Sequence, residues 1–236
     1  MSEKLPSFSE RFAALLYPRT CVVCRELITT NENICENCVP FIFPTSNGCR
    51  GCGQKKCQCD LKDHIYDKCL AAYVYDGKLK DAYCRCKFRG ERSRYKFYAD
   101  ELAKVFGEEL SALDYDFVTV VPGSHSKKQN GGYNFAELIA RKFAHNIHLP
   151  FMNVLKKVRK LDVQHNLSIK DRRQNVRGAY RVKGKYISDV NGKKVLLVDD
   201  IRTSGATLDE CTRELKFAGA SFVTAISVFA PRPINK

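Results

Sequence analysis

The chain contains 236 residues, of which 44% are hydrophobic and 28% charged, and this mixture excludes disordered, collagen-like and coiled-coil proteins. The length suits a small module followed by one domain of about 150 residues. Lys and Arg outnumber Asp and Glu by 40 to 26, a formal charge of +14, and residues 71–190 hold 24 basic and 13 acidic side chains. Such concentrated charge attracts polyanions such as nucleic acid or phosphorylated metabolites; a solubilising surface charge is the alternative.

The apolar segments are too short to enter a membrane. No apolar run reaches the roughly 18 residues that a membrane-spanning helix needs. The run at residues 12–17 is also shorter than the apolar region of a signal peptide, and it lacks the small-residue cleavage pattern. We therefore predict a cytoplasmic protein without membrane insertion. In that reducing compartment, 12 cysteines indicate metal binding or chemistry and not disulfides.

Eight cysteines form four closely spaced pairs: Cys21 and Cys24, Cys35 and Cys38, Cys49 and Cys52, and Cys57 and Cys59. A Cys-x-x-Cys turn presents two thiolates on one loop, so two such turns supply the four ligands of a tetrahedral zinc ion. The first two pairs predict one zinc site and the last two predict a second. Interleaved pairing, with the first and third pairs on one metal, remains open. A redox-active pair is the rival function.

Closed four-thiolate sites have no open coordination position, so one or two Zn²⁺ ions here would hold structure and not carry out chemistry. Residues 1–70 contain few aliphatic core residues and need such a metal to fold. We predict a zinc-ribbon-like module in residues 1–70. Metal removal is expected to unfold residues of about 18–68 while the remainder stays folded.

From residue 71 onward, apolar runs alternate with amphipathic segments, which predicts strands alternating with helices. Predicted helices cover residues 97–113, 133–144 and 207–218, and predicted strands cover 117–121, 154–155, 179–182, 195–198 and 222–229. Strands separated by helices predict an α/β domain over residues 71–236, with a mostly parallel sheet flanked by helices.

The end of the predicted strand 195–198 carries the most informative residues. Asp199 and Asp200 follow it directly, and a loop with hydroxyl side chains and Gly205 then leads into a helix. Loop amides at a helix N-terminus suit a phosphate, while carboxylates suit sugar hydroxyls or a cation. A sugar phosphate satisfies both halves. The alternative is an ordinary strand-to-helix turn with a capping Thr or Ser.

The sequence from Val195 to Thr207 resembles the signature of the type I phosphoribosyltransferases, which bind 5-phosphoribosyl 1-pyrophosphate (PRPP). Together with the N-terminal cysteines, it narrows the resemblance to the ComF family, the late-competence proteins of bacterial DNA uptake. Further similar segments are Tyr75-Asp76-Gly77, Lys87-Phe88-Arg89-Gly90, Val121-Pro122, residues 159–164 and residues 172–180. The resemblance implies the type I phosphoribosyltransferase fold, with a mobile loop between Arg159 and Val176 that closes over PRPP.

The resemblance also implies displacement of pyrophosphate from PRPP by an unknown acceptor, with Mg²⁺ present. Asp199 and Asp200 are the implied catalytic residues, because carboxylates stabilise a positively charged transition state. The residues implied to bind PRPP are Asp199, Asp200, Arg202, Thr203, Ser204, Gly205, Ala206, Thr207, Arg159 and Lys160. His125 and His165 are candidates for proton transfer, with a surface position as the alternative.

Two segments depart from the family pattern near the loop expected to bind pyrophosphate. Residues 131–135 read Gly-Gly-Tyr-Asn-Phe, where the family has an arginine before Gly-Phe-Asn-Gln, and residues 121–124 read Val-Pro-Gly-Ser in place of Val-Pro-Val-Pro. Lys127 and Lys128 are candidates to replace the missing positive charge, although lysine lacks the two-pronged geometry of arginine.

A second hypothesis is a non-catalytic, PRPP-regulated adaptor that binds single-stranded DNA. Basic and aromatic residues interleave in residues 85–98, and basic runs recur in residues 156–173. Cations on phosphates and aromatic rings under bases are typical of sequence-tolerant strand binding, whereas an amphipathic helix with its aromatic rings in the core is the alternative. The family setting implies competence proteins, a helicase or a recombination mediator, as partners.

The remaining cysteines are predicted to pack in the core: Cys69, Cys84, Cys86 and Cys211.

Overall fold

The computed structural model describes residues 18–28, 32–42, 44–45, 64–123, 134–161 and 169–231. Several predicted functional residues lie outside these ranges: Cys49, Cys52, Cys57, Cys59, His125, Lys127, Lys128 and His165.

Strands and helices alternate along the chain after the cysteine pairs. The strands are β1 (Lys68–Val74), β2 (Phe117–Val120), β3 (Leu155–Lys157), β4 (Tyr180–Val182), β5 (Lys194–Ile201) and β6 (Phe222–Ala230). The helices are α1 (Gly77–Phe88), α2 (Tyr95–Ser111), α3 (Phe135–Asn146), α4 (Ile169–Val176), α5 (Ile187–Val190) and α6 (Ala206–Phe217). Every element predicted from the sequence is present, with its ends shifted by at most three residues. The bounds of β1, α1, α4 and α5 were not predicted from the sequence.

The central sheet has the strand order β1-β6-β5-β2, and each neighbouring pair is parallel. The apolar run of β5 from Val195 to Val198 is fully buried, as expected for a strand covered on both faces. The predicted α/β class with a parallel sheet flanked by helices is confirmed.

Alternate residues of β5 pack on opposite faces of the sheet. Leu196 and Val198 belong to a core that also includes α2 and α3, whereas Val195 and Leu197 pack with α6. This alternation follows from the two-residue repeat of a strand. The sheet therefore separates two layers of helices, and β5 delivers its carboxyl end between them.

A small unit of β3, β4 and α4 lies against α6. β3 and β4 form a separate antiparallel pair. The amide of Gly178 donates to the Glu210 carboxylate at 2.6 Å, and Arg181 pairs with Glu214 at 3.0 Å. These contacts tie the unit to the helix that follows β5.

The first two cysteine pairs pack against the layer of α1 and α2. Cys21, Val22, Val23 and Cys38 are buried in the same core as those helices. The chain then runs beside β1, where the amide of Thr45 donates to the Ala72 carbonyl at 2.9 Å. The cysteine segment is thus packed against the sheet domain and shares its core.

None of the described helices has the length and hydrophobicity that crossing a membrane requires.

Gly219 ends α6 with a left-handed backbone conformation, φ +93°, and a Cβ added there would collide with the side chain of Asn191. Gly219→Ala is therefore expected to lower the free energy of unfolding by about 1–3 kcal/mol, as measured by denaturant titration. The matched control is Gly107→Ala within α2, where an added Cβ meets nothing within 4 Å. The control should raise stability by up to about 1 kcal/mol. Equal destabilisation by both variants would contradict this account.

Candidate functional site

A cavity of about 880 Å³ lies at the carboxyl end of β5. One wall comes from α1, another from β3, β4 and the segment around Leu161 and Arg172, and the floor comes from residues 199–208. In parallel sheets, ligands bind at the carboxyl ends of the strands, where loops and helix N-termini converge. The cavity therefore joins the two predicted halves of the site, the acid pair and the glycine-containing loop.

The carboxylate of Asp200 is fully engaged by hydrogen bonds within the protein. Its Oδ1 accepts from the amide of Ile201 at 2.8 Å, and its Oδ2 accepts from the hydroxyl of Tyr83 and the ammonium of Lys87. Burial opposes charge on Asp200, but the Lys87 ammonium and the Tyr83 hydroxyl outweigh it and lower the pKa of this carboxyl. Asp200 is therefore an ionised group held by α1.

Asp199 has a different environment. Its Oδ1 accepts from the amide of Asp200 at 2.8 Å, and its side chain lines the cavity. Burial, followed by the charge of Asp200, raises the pKa of Asp199 well above its ordinary value. The two acids thus differ in role. Asp200 holds α1, which forms one wall of the cavity, whereas the side chain of Asp199 can contact a ligand.

Helix α1 presents one face to the cavity. Its cavity-lining residues recur at intervals of three and four, which is the repeat of one helical face: Lys80, Tyr83, Cys84, Lys87 and Phe88. Tyr83 and Lys87 were not predicted from the sequence as residues of the catalytic or PRPP-binding site. The similarity of Lys87-Phe88-Arg89-Gly90 to the family was the signal that could have drawn attention to Lys87.

The loop after β5 approaches other parts of the chain closely. Gly205 has φ +78° and precedes the first residue of α6. A Cβ added to Gly205 would lie 3.1 Å from the Tyr66 hydroxyl and 3.2 Å from Cε1 of His64. His64 also contacts the carboxylate of Asp209 in α6 at 2.9 Å. Position 205 thus requires glycine, because its φ is positive and because Tyr66 and His64 leave little room for a Cβ.

Arg202 is 3% exposed and lines the cavity. Its Nε and Nη2 atoms are buried and have no hydrogen-bond partner among the described residues. Buried polar groups are normally satisfied, so these donors favour an anionic ligand at this end of the sheet. The amide of Ala206 and the hydroxyl of Ser204 add polar groups to the same loop.

Arg159 and Lys160, which were predicted to bind PRPP, are exposed. The guanidinium of Arg159 donates to the carbonyls of Asn175 and Arg177, at 2.7 and 3.0 Å. The described cavity-lining cations of this region are Lys157 and Arg172. Burial, followed by the charge of Arg159, lowers the pKa of Lys157. Arg159 therefore braces the segment around α4 from outside the cavity, and its role in binding PRPP stays a prediction.

The first two cysteine pairs converge on one point. The Sγ atoms of Cys21, Cys24, Cys35 and Cys38 all lie within 4.8 Å of one another. The first pair is thus grouped with the second, as the adjacent pairing predicted. Four soft thiolate ligands in a small cluster are the donor set of a structural zinc site.

The thiols cannot all ionise together without a cation. Burial opposes ionisation of Cys21, yet hydrogen bonds, including those from the amides of Val23 and Cys35 at 3.4 Å, lower its pKa to about 6. Burial, followed by the neighbouring thiols, raises the pKa of Cys38. A bound dication would relieve this repulsion, so the cluster fits zinc.

The basic segment 85–98 is divided between the interior and the surface. Arg85 and Arg94 donate to backbone carbonyls of the cysteine segment, and Phe97 and Tyr98 lie in the core, as the alternative interpretation expected. The residues of this segment that are exposed include Phe88, Arg89, Arg92 and Lys96.

Three of the four remaining cysteines are buried as predicted: Cys69, Cys86 and Cys211. Cys84 differs from the prediction. It is half-buried, lines the cavity and lies 3.4 Å from the hydroxyl of Tyr75. The reason is that Cys84 lies one helical turn from Lys80 and from Phe88, on the cavity face of α1.

Comparison with known proteins agrees with this architecture. The family model described as "Phosphoribosyl transferase domain" matches residues 129–233. Competence protein F of Haemophilus influenzae is 28% identical over 221 residues, covering 84% of this chain and 91% of that protein. Competence protein ComFC of Streptococcus pneumoniae is 28% identical over 224 residues, covering 92% of each.

A match among solved structures is the glutamine PRPP amidotransferase from B. subtilis complexed with ADP and GMP. It is 26% identical, has a TM-score of 0.36, and covers 56% of this chain and 25% of that chain.

The relatives match the chain over most of its length, and the four-cysteine cluster precedes a phosphoribosyl transferase domain in one continuous core. The chain therefore contains a phosphoribosyl transferase domain and resembles the competence proteins of the ComF family over most of its length.

Proposed function

We propose that this protein binds PRPP with Mg²⁺ in the cavity and transfers its phosphoribosyl group to an unknown acceptor during DNA uptake. The observation that supports the proposal is the meeting of Asp199 with the loop 202–207 in one cavity. A sugar phosphate carries hydroxyls at one end and a dianion at the other, and these two groups suit such a ligand.

Each part of the floor has a task in this proposal. The N-terminus of α6 and the buried donors of Arg202 attract the 5′-phosphate, and Gly205 lets the backbone approach it. Asp199 accepts hydrogen bonds from the ribose hydroxyls, because Asp200 is already engaged. Lys157 and Arg172 place positive charge near the opposite wall, where pyrophosphate would lie. Bound Mg²⁺ would neutralise part of the charge on the pyrophosphate.

The two acids should respond differently to removal of their charge. Asp199→Asn should weaken PRPP–Mg²⁺ binding by at least about tenfold, because one acceptor for the ribose hydroxyls is lost, with little change in Tm. Asp200→Asn should weaken binding and also lower Tm, because Lys87 and Tyr83 lose their charged partner. Isothermal titration calorimetry and thermal unfolding measure both effects.

Asp189→Asn, an exposed acid in α5, is the matched control and should leave both quantities unchanged. Absence of any thermal shift with PRPP and Mg²⁺, or unchanged affinity in Asp199→Asn, would refute the sugar-phosphate site.

Transfer of the phosphoribosyl group is then tested by measuring pyrophosphate release with a panel of nucleobases and amines as acceptors. Intact PRPP binding without release would favour the adaptor over the transferase.

We also propose that Cys21, Cys24, Cys35 and Cys38 hold a structural Zn²⁺ ion. A zinc chelator should then make residues 18–45 sensitive to limited proteolysis while the sheet domain stays protected, because the metal holds the two turns together. Cys24→Ser should show the same cleavage without chelator. Cys84→Ser, a thiol outside the cluster, should retain both zinc and protection. Full protection of the chelated protein would contradict this role.

The second candidate function is a PRPP-regulated adaptor that binds single-stranded DNA, with competence proteins such as a helicase or a recombination mediator as partners. Two observations favour it. Lys87 and Tyr83 both contact the carboxylate of Asp200, which leaves Asp199 as the one acid of the pair that is open to a cationic transition state. Phe88 is 65% exposed beside the exposed Arg89, an arrangement suited to stacking on a base above a phosphate.

For the adaptor, Arg89→Glu combined with Arg92→Glu should weaken binding of a single-stranded oligonucleotide. The slope of log affinity against log salt should become shallower by about 1.4, since each lost phosphate contact contributes about 0.7. Fluorescence anisotropy at several salt concentrations measures the slope. Lys104→Glu combined with Lys185→Glu carries the same charge change on other exposed sites and should leave the slope nearly unchanged. Equal effects of the two pairs would argue against a defined DNA surface.

A further inference from the structure

Helix α1 is held from two sides by different parts of the molecule. Arg85 and Lys87 lie two positions apart in the helix, so their side chains leave it about 200° apart around the axis. Arg85 reaches the cysteine segment, and Lys87 reaches the acid pair. One rigid helix of 12 residues therefore contacts both the candidate zinc centre and the candidate PRPP site.

The contact on the cysteine side is made to the metal-binding loop itself. Nη2 of Arg85 donates to the carbonyl of Val23 at 2.5 Å and lies 3.4 Å from that of Val22. These two residues are the middle of the first Cys-x-x-Cys turn. The side chain of Arg85 is only 18% exposed, so its guanidinium depends on these acceptors and on Glu91, 3.6 Å from its Nε.

The contact on the cavity side determines where the acid pair lies. Tyr83 and Lys87 both donate to Oδ2 of Asp200, and Asp200 is adjacent to Asp199 in β5. A shift of α1 by even one ångström would stretch these hydrogen bonds and move the wall that faces the ribose.

We propose that Arg85 is a positioning residue that couples zinc binding in the cysteine cluster to PRPP binding in the cavity. With zinc bound, the first turn presents the Val22 and Val23 carbonyls to Arg85, and α1 holds Asp200 in place. When zinc leaves, the turn loses its shape, Arg85 loses its acceptors, and α1 no longer holds the acid pair in the binding geometry. The inference rests on the proposed PRPP function.

Coupling of two binding sites is reciprocal. If zinc raises the affinity for PRPP, saturating PRPP must raise the affinity for zinc by the same factor, and such factors are typically about 5 to 150. A merely structural role of Arg85 would lower stability without linking the two ligands. An effect of each ligand on the affinity for the other is therefore the property that identifies Arg85 as a positioning residue.

The test uses the full zinc-loaded chain. PRPP affinity is measured by calorimetry with excess Mg²⁺, before and after removal of zinc, and zinc affinity is measured by competition with a zinc-selective chelator, with and without saturating PRPP. Each ligand should strengthen binding of the other by at least about fivefold. In Arg85→Met, PRPP binding should fall by a similar factor and zinc affinity should no longer respond to PRPP. Arg85→Lys should restore part of the coupling.

Lys104→Met, which removes an exposed cation from α2, is the control and should retain the wild-type coupling. If Arg85→Met does not fold, Lys87→Gln interrupts the same connection from the cavity side and should remove the response of zinc affinity to PRPP. PRPP binding with no effect on zinc affinity would overturn the coupling alone. Failure of the zinc-loaded wild type to bind PRPP would overturn the proposed function and the coupling with it.

Discussion

The buried carboxylate of Asp200 is the interaction on which the cavity depends. A charged group taken out of water is costly unless hydrogen bonds and an opposite charge compensate it. Here the amide of Ile201, the hydroxyl of Tyr83 and the ammonium of Lys87 provide that compensation. Two of these donors belong to α1 and the acceptor belongs to β5, so these hydrogen bonds join α1 to the central sheet. The cavity wall and the position of Asp199 follow from that junction.

Helix α6 organises the opposite side of the site. It begins at the loop after β5, and three of its acidic side chains are buried against different segments. Asp209 accepts from the amide of Ile65 and contacts His64, Glu210 accepts from the amide of Gly178, and Glu214 pairs with Arg181. The helix that would attract a phosphate at its N-terminus thus also holds the segment beneath the loop and the unit of β3, β4 and α4.

The basic side chains of residues 71–190 make several different kinds of contact. Arg85 and Arg94 join the sheet domain to the cysteine segment, and Lys87 neutralises an acid within the cavity. Lys157 and Arg172 line the cavity. Only the remaining exposed cations are available to a large polyanion, and the overall charge therefore overstates the surface that nucleic acid could use.

Much of the fold was readable from the sequence because its signals are local. The buried run of β5, the glycine-containing loop and α6 are contiguous, and from them the parallel sheet and the loop that lines the cavity could be predicted. The bounds of α1 were not predicted, because its cavity face carries polar side chains such as Lys80 and Lys87, which leave only a narrow apolar stripe on the helix. The polar residues that line the cavity thus weakened the sequence pattern of the helix that carries them.

The sequence by itself determined the α/β class and the location of the acid pair at a strand end. The tertiary structure grouped the first cysteine pair with the second, which spacing alone had left open. Only the tertiary structure decided that Asp199 and Asp200 differ, because the partners of Asp200 are 113 and 117 residues away along the chain. The same holds for Arg85, which meets Val23 across 62 residues. Spacing and periodicity describe neighbours along the chain, whereas burial, hydrogen bonding and pKa depend on neighbours in space.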